Sequence, residues 1–259
     1  MSLSCSTPRK IFEKEVAENL SKVDSVKEIV NEKDLHGLPR PVQRYLKYTN
    51  IIGKEKAKVF SIKFNGQFKM KLDADWINVS TEQYNFIASP ARIFHIRGAK
   101  GFIPVSGRDA YIDGKANMLI KVMSLFTVED AKGYEMDISE LVTVLNDMVY
   151  CPSAFLGDNI KWEAIDDTSA MAIITDHGMS ASAIFYFNEE GEIINFETDD
   201  RYRVVSETDR TKTRWSTPFS NYIEIDGIKV PSYGEGRWHM DSGEFTYAKF
   251  TLNELTYKY

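Results

Sequence analysis

The sequence predicts a mainly β protein: a large curved antiparallel sheet or half-open barrel, with an N-terminal helical segment and one helix near 138–150 packed on the sheet or plugging it. From Lys56 onward the spacing of apolar residues changes from the helical period to strict alternation. Hairpin signals also recur, with Asp113-Gly114 and Asp226-Gly227 as two-residue turns and "NEEG", "DHG" and "DSG" as longer ones. Turns at this spacing favour a meander over βαβ units. A chain of 259 residues, 43% of them hydrophobic, can bury one large core, and no repeat or linker divides it. The expected organisation is a helical segment over 1–55 packed on an antiparallel β domain over 56–259.

In the first thirty residues Ile11, Phe12, Val16, Leu20, Val23, Val26 and Val30 recur at intervals of three and four behind a Thr7-Pro8 start, which predicts a helix of several turns with a break near Ser25. "LPRPVQRYLKY" follows. Pro41 suits a first helical turn, and Val42, Tyr45 and Leu46 then share one face, so a short amphipathic helix is expected to dock the N-terminal helix on the sheet. Phe60, Ile62, Phe64, Phe68, Met70 and Leu72 alternate with polar residues as a strand with one buried face, Gly66 marking a bulge or bend. Further strands read out of "WINVSTEQYNFI", "RIFHIRG", "GFIPVSGRDAYI", "ANMLIKVM", "IKWEAI", "SAMAIIT", "MSASAIFYF", "EIINFETDDRYRVV", "NYIEI", "IKVPSYGEGRWHM" and "FTYAKFTLNELTYKY". In "MDISELVTVLNDMVYCP" a stripe of Ile138, Leu141, Val142, Leu145, Met148 and Val149 ends at Pro152, which gives the second helix.

The formal net charge is −6, yet the stretch from Leu35 to Lys71 holds nine basic residues and one acid. That local field suits an anionic membrane surface or an acidic ligand; the plain alternative is a solvated sheet face. An acidic chain without nucleic-acid motifs gives no reason to expect nucleic acid as a partner. Cys5 and Cys151 are too few for a disulfide framework, and Cys151 reads as a packing residue. No apolar run reaches the length of a membrane span, and Met1 to Leu3 read as an appended leader, so a natural N-terminal membrane segment stays open.

Chemistry is sparse. His36, His95, His177 and His239 form no metal-ligand spacing, and nucleophile-elbow and phosphate-loop motifs are missing, so no catalytic residue, metal or cofactor is assigned. In "IINFETDDRYRVV" the alternation places Ile194, Phe196, Thr198, Asp200, Tyr202 and Val204 on the inner face. Asp200 is then either a buried acid paired with a cation or a polar anchor in a cavity, with Arg237, Arg203 and His239 as candidate partners.

"LPRPVQRYLKY", "GRDAYIDGKANMLIKVMSLFTVEDAKGYEMDISEL", "KWEAIDDTSAMAIITDHGMSASAIFYFNEEGEI" and "VPSYGEGRW" together resemble an uncharacterised bacterial family, a domain of unknown function with an LPxPVxRY motif. The resemblance covers nearly all of residues 35–259. It implies a surface-anchored bacterial protein, since members commonly carry an N-terminal membrane segment, and it transfers no catalytic residue. The predicted fold is also similar to half-barrel carriers that shuttle lipids or lipoproteins in bacterial envelopes.

The leading expectation is a non-catalytic, envelope-associated protein that binds an apolar ligand, a lipid or acyl chain, between the curved sheet and the helix over 137–150. Asp200, Tyr202, Trp238, Met240 and Phe196 would contact the ligand, and Arg40, Arg44 and Lys47 would face an anionic membrane surface. It would sit in the bacterial cell envelope, membrane-anchored if a natural N-terminal segment exists, and otherwise in the cytoplasm; the oligomeric state stays open. Two alternatives remain: a structural or protein-interaction module with a filled core, or an enzyme using the same cavity with Asp200, Arg201, Glu235 and His239.

Overall fold

Alternating apolar residues produce thirteen strands in one antiparallel sheet: β1 (Val59–Phe68), β2 (Ile77–Phe86), β3 (Ala91–Lys100), β4 (Ile103–Ile112), β5 (Lys115–Val122), β6 (Phe126–Lys132), β7 (Ile160–Ala164), β8 (Ser169–Asp176), β9 (Met179–Phe187) and β10 (Ile193–Thr198), then β13 (Trp215–Ile225), β14 (Ile228–Met240) and β15 (Gly243–Lys258). A separate two-stranded ribbon, β11 (Tyr202–Val204) and β12 (Arg210–Lys212), interrupts the chain before β13. This is a computed structural model, and it describes residues 7–123, 126–205 and 209–259, with only the backbone at Val128 and Glu129. The strand order is β6-β5-β4-β3-β2-β1-β15-β14-β13-β10-β9-β8-β7, so the last strand joins the two halves and the edges β6 and β7 leave the curved sheet open. β6 escapes the alternation rule: it carries Asp130 and Lys132, the polarity that blunts an edge strand.

Three α-helices are described: α1 (Pro8–Leu20), α2 (Arg40–Tyr48) and α3 (Tyr134–Asp147). Thr7 caps α1, and Phe12 and Val16 bury against Val59, Phe86, Ile93 and Ala110 on the outer face of the sheet. The helix stops well short of Val30. The following residues run extended because their backbone pairs with a later segment: Val30 N–H donates to Lys54 O at 2.9 Å, Gly53 N–H to Val30 O at 2.8 Å and Lys56 N–H to Glu28 O at 2.7 Å. Val26, expected on the helical stripe, is exposed.

In α2, Val42, Tyr45 and Leu46 are fully buried, and Tyr45 OH donates to Val149 O at 3.1 Å while its ring meets Phe155 and Phe187. The helix therefore docks the turns after α3 and the β9–β10 hairpin, not α1, which lies on the other face of the sheet. α3 begins behind Gly133, whose φ of 120° suits glycine, and everything from Asp137 to Asp147 is buried. It plugs the concave side and continues through short 3-10 turns at Met148–Tyr150 and Pro152–Leu156. Buried Cys151 packs there, its thiol pushed up to about 11 by burial; Cys5 and Met1 to Leu3 lie outside the described residues.

Three local expectations change. β1 ends at Phe68, where the chain leaves the sheet, so Met70 and Leu72 are exposed. The register shift near Gly66 lies between Lys63 and Phe64, and Gly66 serves a close approach instead, since a Cβ there would sit 2.0 Å from Lys249 O. The long strand "EIINFETDDRYRVV" splits into β10 and β11, with a shift between Ile193 and Asn195 that turns Ile194 outward.

Candidate functional site

Cross-strand partners share a face, so register alone defines the inner surface of β1–β5. One rung runs Phe60, Asn85, Arg92, Tyr111, Ala116, and the next Ile62, Gln83, Phe94, Asp109, Met118. Gln83 and Arg92 both bond Asp147 of α3, at 2.8 Å each, so these rungs lie on the helix side of the sheet. The third rung is Phe64, Thr81, Ile96, Gly107, Ile120, and the fourth Gly66, Val79, Gly98, Val105, Val122. Here Val79, Ile96, Val105, Ile120 and Val122 are half-buried and pack into neither hydrophobic core cluster. α3 thus covers half of the inner face and leaves an apolar trough beyond it.

Aromatic side chains of β14 and β15 flank the trough. Tyr247 stacks on Trp238 at 6.1 Å, meets Phe68 edge-on at 5.6 Å and accepts a hydrogen bond from Trp215 Nε1 at 3.1 Å. A Cβ on Gly236 would lie 2.9 Å from the Tyr247 ring, so the glycine lets that ring lie across β14. The Arg201 guanidinium sits 4.3 Å from the Trp215 ring and 5.8 Å from that of Trp238.

The inner end is charged. Arg92 bonds Asp147 at 2.8 Å and Glu140 at 3.1 Å and lies 3.6 Å from Asp109, while Arg201 bonds Thr143 and lies 3.8 Å from Glu140. Burial opposes the Arg92 charge, and the three carboxyls more than offset it, so its pKa is raised. Burial and the charge of Glu140 push Asp109 well above the usual carboxylate range, against the pull of Arg92. Several buried polar atoms around this network have no partner among the described residues: Asp109 Oδ1, Thr81 Oγ1, both amide atoms of Asn85 and Asn146 Oδ1. Asn85 is only 3% exposed and Thr81 4%. Atoms so placed call for water or the polar group of a ligand.

The residues expected to hold a ligand are spread around this region. Trp238 flanks the trough and Met240 is half-buried at the end of β14. Phe196 is fully buried between Phe185 and Trp215, inside the core. Tyr202 lies on the ribbon with Lys212 Nζ 5.7 Å above its ring. Asp200 follows the end of β10, so strand parity does not extend to it. Its carboxylate accepts from Ser182 N–H at 2.9 Å, Ser182 Oγ at 2.8 Å and Lys212 Nζ at 2.9 Å, in place of Arg237, Arg203 or His239. Partial burial alone would raise its pKa; Lys212 and Ser182 outweigh that and hold it below the ordinary value.

The expected membrane-surface residues sit on α2. Arg44 donates to Asp167 O at 3.0 Å and Asn188 O at 3.2 Å, Arg40 lies 4.0 Å from Asp167, and Lys47 is exposed. Much of the basic stretch behind them is paired as well: Lys56 with Glu28, Lys58 with Asp24, Lys63 with Glu254.

The enzyme candidates diverge. Arg201 turns to α3, Glu235 is held by Tyr233 and Arg237, and His239 bonds Ser216 at 2.7 Å with Glu244 at 3.5 Å. Ser216 is buried at the start of β13, opposite in parity to Trp215 and therefore on the outer face. An open outer groove of about 1070 Å³ is lined by Arg9, Lys63, Glu82, His95, Arg97 and Ser106 among others. There His95 Nε2 meets Ser106 Oγ at 2.9 Å, a cross-strand contact, and burial, reinforced by Arg9, pushes the imidazole down to about 4. Among the described residues no three His, Cys, Asp or Glu side chains gather as a metal site, and no helix is long and apolar enough to cross a membrane.

Fold and site together define an open, curved-sheet β protein, plugged by one helix, with an uncovered apolar inner surface. The chain belongs to DUF6544, a family of unknown function whose model matches residues 28–250. No curated protein matches it. Among solved structures it is similar to a LolA-superfamily protein from Nitrosomonas europaea, at 11% identity and TM-score 0.41 over 83% of this chain and 92% of that one. It is similar also to a domain described as an outer membrane lipoprotein-sorting protein domain from Vibrio parahaemolyticus, at 10% identity and TM-score 0.39 over 77% and 85%.

Proposed function

We propose that the protein is a non-catalytic binding protein for an amphipathic ligand, an acyl chain with a polar head, held on the concave face beyond α3. The observation that carries this is the continuity of the inner surface. Half-exposed Val79, Ile96, Val105, Ile120 and Val122 run directly into buried, unpartnered polar atoms beside Arg92 and Asp109. Uncovered apolar surface costs about 25 cal/mol per Å² in water, and an acyl chain laid along the rungs removes it. The head would meet the Thr81 hydroxyl and the Asp109 carboxyl at the margin of α3, and Trp238 with Tyr247 would bound the tail. Space directly between α3 and the sheet is filled by core side chains, so the ligand lies beside the helix and not beneath it. Family resemblance, with its common N-terminal membrane segment, supports a place in the bacterial envelope.

Titration with a fluorescent long-chain fatty acid tests the reading. Wild-type protein should bind it saturably, and Ile96→Glu should weaken binding tenfold or more while melting within a few degrees of wild type. Saturable binding unchanged in Ile96→Glu, or no binding at all, would reject the trough. Asp109, raised above the usual carboxylate range by burial and by Glu140 and with its buried Oδ1 unpartnered among the described residues, favours a second reading, acid catalysis on the polar head. Turnover of a p-nitrophenyl acyl ester, lost in Asp109→Asn, would support it, and absence of turnover would remove it.

A further inference from the structure

The connections β1–β2, β3–β4 and β5–β6 leave the sheet at one end, because the six strands alternate in direction. Register keeps the ends nearly level. Val79 pairs with Gly98, Lys100 with Ile103 and Val105 with Val122, so the strand ends differ by about two residues, roughly 7 Å. All three ends present large apolar side chains to solvent. Met70 and Leu72 are exposed in the first connection, Phe102 and Ile103 at the second, and Met123 and Phe126 at the third. Phe102 is fully exposed and Phe126 65% exposed.

Nothing in turn chemistry calls for these residues. Gly101, at φ 61°, supplies the left-handed position of the β3–β4 turn, and the next position tolerates any polar residue, yet it holds Phe102. Met123 has φ 52°. Among the described residues the other non-glycines at positive φ are Asn50, Asp113, His177, Asn221 and Asp226, types that accept the left-handed region readily. A methionine there is strained, and its side chain stands in water.

Charge points to the occupant. Lys69, Lys71, Lys100 and Lys121 flank the tips against Asp73 and Asp75, a local excess of positive charge on a chain of net charge −6. Trp76 lies at the base of the first connection with Lys69 and Lys249 5.1 and 5.0 Å from its ring, the amphipathic aromatic that suits a membrane–water boundary. The β14–β15 turn at the same end carries Asp241, which offsets one of these lysines, and Glu244 beside it is paired with Arg237 and His239. Neighbouring tips stand two strand spacings apart, about 10 Å. Such separated points offer no continuous face to a protein partner, whereas each can enter a bilayer interface on its own. We propose that the exposed residues Met70, Leu72, Phe102, Ile103, Met123 and Phe126 at these three strand ends form a membrane-docking edge that seats the protein on an anionic lipid surface. The fourth rung of the trough, Val79 to Val122, runs out to this edge, so docking would bring the trough mouth to the lipid. The proposal stands on its own residues whether or not the trough holds a ligand.

Vesicle co-sedimentation tests it, with phosphatidylcholine alone and with phosphatidylcholine containing one third phosphatidylglycerol, while brominated lipid quenching reports through Trp76. Wild-type protein should bind the anionic vesicles, with loss in high salt, and quench. The combined variant F102S/M123S/F126S should bind at least tenfold more weakly while melting and titrating fatty acid as wild type does. Lys71→Glu with Lys100→Glu should abolish the preference for anionic vesicles, and Lys47→Ala, on α2, should change nothing. No wild-type binding to either vesicle, or binding unaffected by the triple substitution, overturns the proposal. A dimer in sedimentation analysis that the triple variant abolishes would also overturn it, by showing that the tips seat a second copy.

Discussion

The α2 helix and the three hairpin tips are two basic regions of one chain, and they use their charge in opposite ways. Around α2, cations are drawn inward: Arg44 is spent on two carbonyls and Arg40 faces Asp167, while Lys56 and Lys58 in the segment behind it meet Glu28 and Asp24. At the tips, lysines stand beside apolar side chains that are exposed among the described residues. A run of positive residues in sequence therefore reports a field only after the acids from elsewhere have been counted. Here the acids arrive from the segment after α1 and from the β7–β8 turn, neither adjacent to the basic run.

This contrast can be broken by substitution. The largest effect should come from the buried network that fixes α3. Arg92→Ala strands three carboxyls out of water and should cost about 3 to 5 kcal/mol in chemical denaturation, the range for breaking a buried ion pair. A midpoint shifted by less than a third of that would show that the carboxyls simply take up protons. Tyr45→Ala removes a fully buried ring and its bond to Val149 O, and should cost about 2 to 4 kcal/mol. An unchanged midpoint would mean that α2 does not dock the turns after α3.

A smaller, pH-dependent effect belongs to the outer face. His95 titrates near 6.5 when unfolded and near 4 when folded, because burial and Arg9 disfavour its charged form. Between those values the unfolded chain binds more protons, so stability should fall as pH drops from about 6.5 to about 4. His95→Gln should flatten that part of the profile, and an identical slope in the variant would place the origin elsewhere. The smallest effect should be that of Arg40→Ala. Arg40 is mostly exposed and 4.0 Å from an exposed aspartate, so the change should stay within about 0.5 kcal/mol. A larger loss would make the α2 surface structural.

Period and turn chemistry made most of the fold legible. Phe60, Ile62 and Phe64 alternate cleanly, and Asp113-Gly114 turns where its residues demand, at φ 50° and 72°. The failures have local causes. The helix beyond Leu20 was overridden by backbone pairing with residues 53–56, β6 hid in edge-strand polarity, and a shift at Ile194 reversed parity within a single strand. Alternation cannot reveal a bulge, because the extra residue leaves no chemical mark.

The candidate site was less legible, yet a signal existed. Glu140, Thr143 and Asp147 fall at i, i+3 and i+7 of α3, a polar stripe that a buried helix must satisfy. Their partners Gln83 and Arg92 stand on the inner parity of β2 and β3, recognisable only once β1 fixes which parity faces inward. Asp200 drew attention for its place in a strand that in fact ends at Thr198.

The uncovered trough is the centre of this account, and native mass spectrometry of protein purified gently from a bacterial host, followed by solvent extraction and lipid analysis, tests it most directly. The expected result is one amphiphile per chain, released on denaturation and missing from Ile96→Glu prepared in parallel. Protein that carries no amphiphile, or that carries the same amount in Ile96→Glu as in wild type, would contradict the claim that the inner face beyond α3 holds the ligand.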